Sequence, residues 1–487
     1  MSKIADFVSE HAFVQTVHQI AANQSLELFL VGGLLRDLLI SADATTNLGQ
    51  RSVDFDFAVC PAKDGTARPS MAADLGRIVA CDLAGHFVML DDINDIARVV
   101  FDSGHYIDFA AARHGLERDL ARRDFTINAL AWSRDQPEQI IDMHGGLADL
   151  STRTIRAISG ANLIDDPLRL LRAYRFACLI DGTVEQKTKE YIAANLDLLD
   201  TVARERINYE LFTMLDARVG NRIYEMAKLG LIEKLFPELK ACHRVTPNSY
   251  HHLPLFEHCL ETVPQVEAAI DLAPQWIKDH LAGELQSGIT RRSSTKLACL
   301  LHDIGKPDTW QITEEGKHTF IGHDKLGGEM SRPIATREKW SRNVARHIEK
   351  LITMHLRPGA LFHTGDPTEK AIKRFYRACE DDFADLMMLG FADLGATCGA
   401  GLSEEARLRL RMKFIEIIEG YPEFVEATKV MPRLLDGNAL IALTGMRPGP
   451  GIGKILEAIN EAQALKEIET VDQARAMALQ LYKEGSF

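Results

Sequence analysis

The spacing of apolar positions changes once along this chain, and the change divides it. Between residues 28 and 145 the apolar runs are short and recur at every second residue. They predict strands at 28–31, 53–59, 86–90, 97–101 and 105–110, with helical stretches between. In Val53-Asp54-Phe55-Asp56-Phe57 the alternation is strict, so Asp54 and Asp56 share one face of a strand and the apolar residues share the other. From about residue 150 onward the two-residue period nearly vanishes. Helical spacing takes over, as in Leu168-Arg169-Leu170-Leu171-Arg172-Ala173-Tyr174-Arg175-Phe176. The pattern predicts an α+β protein with a mixed-sheet head over 1–150 and an all-α neck and body over 151–240. A helical domain over 241–400 and a helical tail over 401–487 follow. The Pro- and His-containing stretch 240–256 marks a boundary. No repeat of fixed period is present.

Composition narrows the class. A chain of 487 residues, 46% hydrophobic and 26% charged, has room for about three domains with ample core. It has no apolar run of about eighteen residues, and its first residues lack a signal-peptide pattern, so a cytoplasmic protein with no membrane partner is expected. Eight scattered cysteines without a Cys-x-x-Cys pair argue against a zinc knuckle or a disulfide framework. A net charge of −13 excludes a non-specific nucleic-acid binder but leaves room for a local basic track. Arginines cluster at 113, 118, 122 and 123, at 169, 172 and 175, and at 407, 409 and 411; the last group reads as a solvated helix face.

Candidate chemistry concentrates at two places. The apolar run Leu28–Val31 closes on Gly32-Gly33-Leu34-Leu35-Arg36-Asp37. A glycine pair lets a turn bring backbone N–H groups close to an anion such as phosphate. About twenty residues on, the two strand carboxylates would lie about 7 Å apart and repel each other. A pair of divalent cations removes that repulsion, and hard oxygen ligands suit Mg²⁺. The combination reads as a two-metal nucleotidyl-transfer site. Asp108, in Tyr106-Ile107-Asp108-Phe109 on another strand, is the candidate third carboxylate. Arg122-Arg123-Asp124, placed at a helix start, suits triphosphate and ribose, because guanidinium forks grip phosphate bidentately.

With these blocks in order, residues 28–215 resemble the class II polymerase-beta-type nucleotidyltransferases, the group of tRNA CCA-adding enzymes and poly(A) polymerases. The matching blocks are Gly-Gly…Asp-x-Asp (32–56), Arg-Arg-Asp-Phe-Thr-Ile-Asn-Ala (122–129) and Asp142-Met143-His144-Gly145-Gly146-Leu147-Ala148-Asp149. Asp165-Asp166-Pro167-Leu168-Arg169 and Arg204-Glu205-Arg206-Ile207 complete them. The resemblance implies a polymerase-beta-like head in which Asp54, Asp56 and Asp108 are catalytic and Asp54 and Asp56 hold two Mg²⁺. It implies nucleotide binding by Gly32, Gly33, Arg36, Arg122, Arg123, Asp124 and Asn128, and by Asp166, Arg169, Arg172 and Arg175 in the helical part. Asp166 and Arg169 would read the incoming base: an aspartate accepts from the exocyclic amine of C or A and repels the carbonyl of U or G. Asp166-Pro167 also reads as a helix N-cap followed by Pro at the first helical position. The implied activity is template-independent addition of C and A, from CTP and ATP, to the tRNA 3′ end. Between the Asp108 strand and the arginine block lie only Ala110 to Leu120, without the flexible Arg/Tyr-rich loop of CCA-adding members. That departure resembles CC-adding enzymes and predicts addition of CC more readily than the final A. A poly(A) polymerase is the alternative within the same chemistry.

The second place is rich in histidine. Leu300-Leu301-His302-Asp303-Ile304-Gly305-Lys306 sets a His-Asp doublet in an apolar helix, with His258 upstream and His323, His355 and Asp393 downstream. Several spaced histidines with carboxylates favour a divalent ion. Residues 256–400 resemble the HD phosphohydrolase domain, which implies His258, His302, Asp303 and Asp393 as the core ligand set and His323 and His355 as the extra ligands of two-metal versions. The metal would be a divalent transition ion or Mg²⁺, and the substrate a phosphoester at an RNA 3′ end; a structural domain, or an HD hydrolase with an RNA-binding head, are the alternatives. In the tail, Gly445-Met446-Arg447-Pro448-Gly449-Pro450-Gly451 reads as a turn opening a helix at Ile455, a possible phosphate contact or a plain helix–helix turn.

Overall fold

The computed structural model describes residues 3–40, 54–62, 67–246, 253–363, 365–397, 403–430, 433–464 and 467–485. Val53, Cys398 and the middle of the expected linker (247–252) lie outside them. The chain forms two compact units, Met1–Leu235 and Phe236–Phe487.

The first unit is built on a seven-stranded mixed sheet. Its strands are β1 (Leu26–Val31), β2 (Asp54–Pro61), β3 (His86–Asp91), β4 (Ile96–Val100), β5 (Tyr106–Ala111), β6 (Leu130–Trp132) and β7 (Ile140–Asp142). They lie in the order β3-β4-β5-β2-β1-β6-β7, and β2–β5 is parallel while its neighbours pair antiparallel. The helix Met71–Asp82 and the β3–β4 hairpin bridge the two parallel strands in sequence, as a parallel connection requires. Alternation does what the sequence predicts in β2: Phe55 and Phe57 are fully buried, and Asp54 and Asp56 face the other way, half-buried. Phe57 stacks on Phe55 and on Phe109 of β5, with ring centroids 6.4 and 6.1 Å apart. Each such buried ring contributes about 1.5–3 kcal/mol, and this apolar layer holds the strand register that fixes the carboxylates on the opposite face.

Five details differ from the sequence-based expectation. Strands β6 and β7 were not legible, because three residues are too few to show a period. Arg122 ends a helix (Leu116–Ala121) instead of starting one, and a single 3-10 turn, Thr126–Asn128, follows. Asp166 caps nothing with its side chain: the helix Arg169–Leu179 begins after Leu168, and the Asp166 carboxylate is drawn to Arg206 instead. In the tail the helix opens at Pro450, so Ile455 is an interior residue, fully buried. Short two-residue strands also occur beyond residue 150, at Thr154–Ile155 and Thr183–Val184.

The second unit is helical apart from two small hairpins. The helices Arg291–Leu301 and Phe383–Ala396 are buried nearly all round and run through its centre, the second of them largely apolar. Leu255–Leu272 packs against both. A separate small core, around Leu440, Ile455, Ile459, Ala474 and Ala478, joins the last three helices. No helix among the described residues is long and apolar enough to cross a membrane.

Candidate functional site

The head's acidic face is assembled by strand register. Asp56 stands opposite Asp108 and Asp54 opposite Tyr106 across the parallel β2–β5 pair, while Asp108 stands opposite Arg98 across β4–β5. One row of the sheet therefore reads Arg98, Asp108, Asp56, Val31. Asp108 accepts a fork from Arg98, Nε to Oδ1 at 2.7 Å and Nη2 to Oδ2 at 2.8 Å. The Tyr106 hydroxyl donates to Asp54 Oδ2. The other Asp54 oxygen, Oδ1, is buried without a hydrogen-bond partner. Burial, reinforced by the Asp108 and Asp54 charges, pushes the Asp56 carboxyl up to about 6. An orphaned buried carboxylate oxygen beside a crowded acid, with oxygen donors throughout, fits a hard divalent cation.

Gly32 closes this face from the β1 side. Its φ of +81° suits glycine, and a Cβ there would strike the Asp56 carboxylate. The following residue, Gly33, donates its N–H to Asp56 and opens the helix Gly33–Ile40. The diglycine and the Asp-x-Asp are thus one device rather than two neighbouring ones.

A cavity of about 470 Å³ runs from this face into the helical part of the same unit. It is lined by Gly32, Gly33, Arg36, Asp56, Asp108, Arg123, Asp124, Asn128, Asp166, Arg169, Arg172 and Arg175. Of the candidates read from the sequence for the head, only Asp54 and Arg122 do not line it; Asp54 sits on the same strand face two residues from Asp56, and Arg122 is half-exposed at the helix end. Asp124 is buried and holds Asn128 (2.9 Å) and Arg172 (2.7 Å); despite burial, the Arg172 charge keeps its carboxyl below the usual range. Arg36 donates to Asn128 Oδ1 at 3.0 Å. Phe176 carries three guanidinium groups around its ring, those of Arg36, Arg172 and Arg175, at 4.9, 5.2 and 4.1 Å from the centroid. Arg206 holds the Asp166 carboxylate at 3.0 Å, and Arg169 donates to the carbonyls of Arg122 (3.0 Å) and Asn162 (2.9 Å).

Sequence reasoning missed the residues that hold the candidates in place. Asn162 donates to the carbonyls of Ala121 (2.8 Å) and Arg123 (2.6 Å), tying the arginine block to the helix before Asp166. Asp119, buried, forks both Arg122 and Arg123. Glu210, also buried, pairs with Arg175. An alternating Ile96-Ala97-Arg98-Val99 was the available signal for Arg98: a charge on an otherwise apolar strand.

In the second unit all six candidates converge. His258 comes from the helix Leu255–Leu272, His302 and Asp303 from the end of Arg291–Leu301, and His323 from the start of His323–Arg337. His355 follows Arg342–Met354, and Asp393 lies in Phe383–Ala396. Asp303 lies between the imidazoles, with Oδ2 3.1 Å from His302 and 3.5 Å from His258, and Oδ1 3.3 Å from His323 and 3.5 Å from His355. Asp393 is 3.2 Å from His258. The Nδ1 atoms of His302, His323 and His355 each sit 2.7 Å from a backbone carbonyl, of Cys299, Phe320 and Ile352. A carbonyl only accepts, so each of these Nδ1 atoms carries a proton, and in the neutral ring Nε2 is left with a lone pair toward the centre, the arrangement a metal ligand needs. Burial opposes charge on His355 and lowers its pKa, which keeps it a neutral ligand. Gly305 makes this convergence possible, because a Cβ there would strike the His323 carbonyl. Lys306, not singled out from sequence, reaches Asp303 Oδ2 at 2.6 Å. A further group, His347, Asp382 and Asp385, has its carboxylates already taken by Arg291 and Lys350, so it fits an ion-pair network rather than a cation site.

The sheet with its acidic face and the helical His-Asp centre define a nucleotidyltransferase head joined to an HD-type domain. Residues 28–156 match the poly(A) polymerase head domain, residues 183–242 the RNA and SrmB-binding site of polymerase A, and residues 256–382 the HD domain. An A-adding tRNA nucleotidyltransferase of Deinococcus radiodurans is 33% identical over 92% of this chain and 94% of its own length. A CC-adding tRNA nucleotidyltransferase of Thermus thermophilus is 30% identical over 93% of each. The fold is that of a CCA-adding enzyme of Thermotoga maritima solved with tRNA, with a TM-score of 0.60, 21% identity and coverage of 96% of this chain and 94% of the other. At this likeness over nearly its whole length, the chain belongs to the tRNA nucleotidyltransferase family.

Proposed function

We propose that this enzyme adds C and A residues, without a template, to the 3′ end of tRNA, using CTP and ATP in the cytoplasm. The observation that carries the reading is the single cavity in which the diglycine turn, the acidic face, the arginine block and the Asp166–Arg169 pair meet. Two Mg²⁺ held by Asp54 and Asp56, with Asp108 beside them, would supply activation of the RNA 3′-hydroxyl and neutralisation of the leaving pyrophosphate. The chain's own residues do the rest. Gly32 and Gly33 bring backbone close to the acidic face, and Arg36, Arg123 and Arg172 give the triphosphate its counter-charge. Asp166 accepts from the exocyclic amine of C or A while Arg169 donates to the ring acceptor, and U and G are rejected by the reversed pattern.

The connection from β5 to the arginine block supports the CC-preferring version. It consists of residues 112–115 and the helix Leu116–Ala121, with Ala112 tied to Val59 O at 2.8 Å. Incubating tRNAs that end before, within and after the CCA position with CTP, ATP or both tests the whole reading. Addition of two C residues, with the final A added less readily, is expected. Efficient synthesis of full CCA sinks the CC preference, and long A tracts from ATP alone would make the protein a poly(A) polymerase.

The HD centre supports a second activity, hydrolysis of phosphoesters at an RNA 3′ end such as a 2′,3′-cyclic phosphate. His258, His302, Asp303, His323, His355 and Asp393 would hold a divalent transition ion or Mg²⁺, which supplies an activated water. The pre-set Nε2 lone pairs support this over a structural role. Loss of hydrolysis in His302→Ala is expected, and undiminished hydrolysis removes the reading.

A further inference from the structure

Three carboxylates, Asp54, Asp56 and Asp108, share one face of the head sheet, and in the row of cross-strand neighbours that includes Asp56 and Asp108 the next residue is a cation, Arg98. Its fork takes both oxygens of Asp108. Its guanidinium also lies on the Tyr106 ring, 3.9 Å from the centroid, and the hydroxyl of that ring donates to Asp54. Arg98 is therefore pinned by strand register, by the fork and by the stack, and it touches the acidic set at two points, directly and through Tyr106. The other guanidinium acting on this set, Arg123, donates to Asp119 Oδ2 at 2.9 and 3.1 Å, a carboxylate it shares with Arg122, and to the Asn128 carbonyl at 3.2 Å, so these hydrogen bonds go to groups other than the three acids.

We propose that Arg98 is a positioning residue for nucleotidyl transfer, the resident counter-cation of the acidic face. It fixes Asp108 and keeps the affinity of the nucleotide-free site for divalent cations low, so that metal enters together with a nucleoside triphosphate. The inference rests on the two-metal reading of Asp54 and Asp56 above. Its physical basis is charge. A fixed positive group one cross-strand spacing from Asp108 and two from Asp56 repels a divalent ion on this face, and a triphosphate, carrying its own negative charge, offsets that repulsion when it binds. A lysine at this position would keep the charge but not the planar fork or the stack.

The test is direct binding of Mn²⁺ to the full chain without nucleotide, followed by electron paramagnetic resonance, with thermal unfolding as the check on folding. The Mn²⁺ bound by wild type and lost in Asp56→Asn belongs to the head; the rest belongs to the HD centre. Arg98→Met and Arg98→Gln are expected to tighten the head's Mn²⁺ affinity by about tenfold. Arg98→Lys and Tyr106→Phe, which keep the charge, should stay within about threefold of wild type. The glutamine variant serves if the methionine variant does not fold. Head affinity unchanged or weakened in the folded Arg98→Met or Arg98→Gln protein overturns the proposal, and so does tightening of equal size in Tyr106→Phe. If Asp56→Asn removes no Mn²⁺ even in the Arg98→Met background at saturating Mn²⁺, it is the two-metal reading that fails.

Discussion

The two candidate metal centres of this chain are built on opposite plans. In the head, every donor is oxygen, the carboxylates stand on one face of a sheet that opens to a cavity, and a guanidinium occupies one of them. In the HD unit the donors are mostly imidazole, nearly all are buried, and three of the four rings have their tautomers set by backbone carbonyls. Oxygen donors on an open face suit a hard ion that comes and goes with substrate. Buried, pre-set nitrogens suit an ion that stays. The contrast teaches that ligand geometry alone does not say whether a metal is a cofactor or part of the substrate; the partners each ligand already has do.

The largest expected break in this contrast comes from Asp54→Ala. Nucleotide incorporation should fall by about a thousandfold or more, with phosphoester hydrolysis unchanged, measured on one preparation with labelled CTP and a 2′,3′-cyclic substrate. His302→Ala should do the reverse, lowering metal retention at the HD centre by about a hundredfold and leaving incorporation intact. Metal analysis after dialysis then sharpens the comparison: ions should remain in the wild-type HD unit and be lost from the head. Gly32→Ala forces a Cβ against the Asp56 carboxylate at a positive φ, and it should lower stability by about 1–3 kcal/mol in denaturant titration, with incorporation falling alongside.

The smallest effect is one of pH. The Asp56 carboxyl is raised in the fold, from 3.8 to about 6, so the native protein holds a proton that the unfolded chain has released across that window. Stability of the metal-free protein contributed by this group is present at low pH and is lost as pH rises through about 6. Asp56→Asn should therefore melt higher than wild type at pH 8 without metal, and the difference should vanish below about pH 4. A difference of the same size at both pH values would show that ionisation of this buried carboxyl is not its origin.

Much of the candidate chemistry was legible because it obeys short periods. Asp54 and Asp56 alternate with Phe55 and Phe57, and that alternation survives intact in the sheet. The six HD residues were legible from residue type, although their convergence depends on helices more than a hundred residues apart. What escaped was the supporting layer. Asn162, Asp119 and Glu210 look like ordinary surface residues of helices, and only the tertiary fold shows that they hold Arg123 and Arg175; Arg206 lies in a block singled out from sequence, but its grip on Asp166 does not show there. The capping alternative at Asp166 failed for a related reason: Asp-Pro is a strong local capping signal, and a long-range partner, Arg206, outweighed it.

The four residues Ala112 to Gly115 between β5 and the next helix have a consequence for adaptability. A connector that short, hydrogen-bonded to the sheet at Ala112, has almost no conformational freedom to surrender when substrate binds. Little entropy is then lost in ordering this segment around a substrate. A connector built this way trades versatility for readiness: it is already in place when substrate arrives.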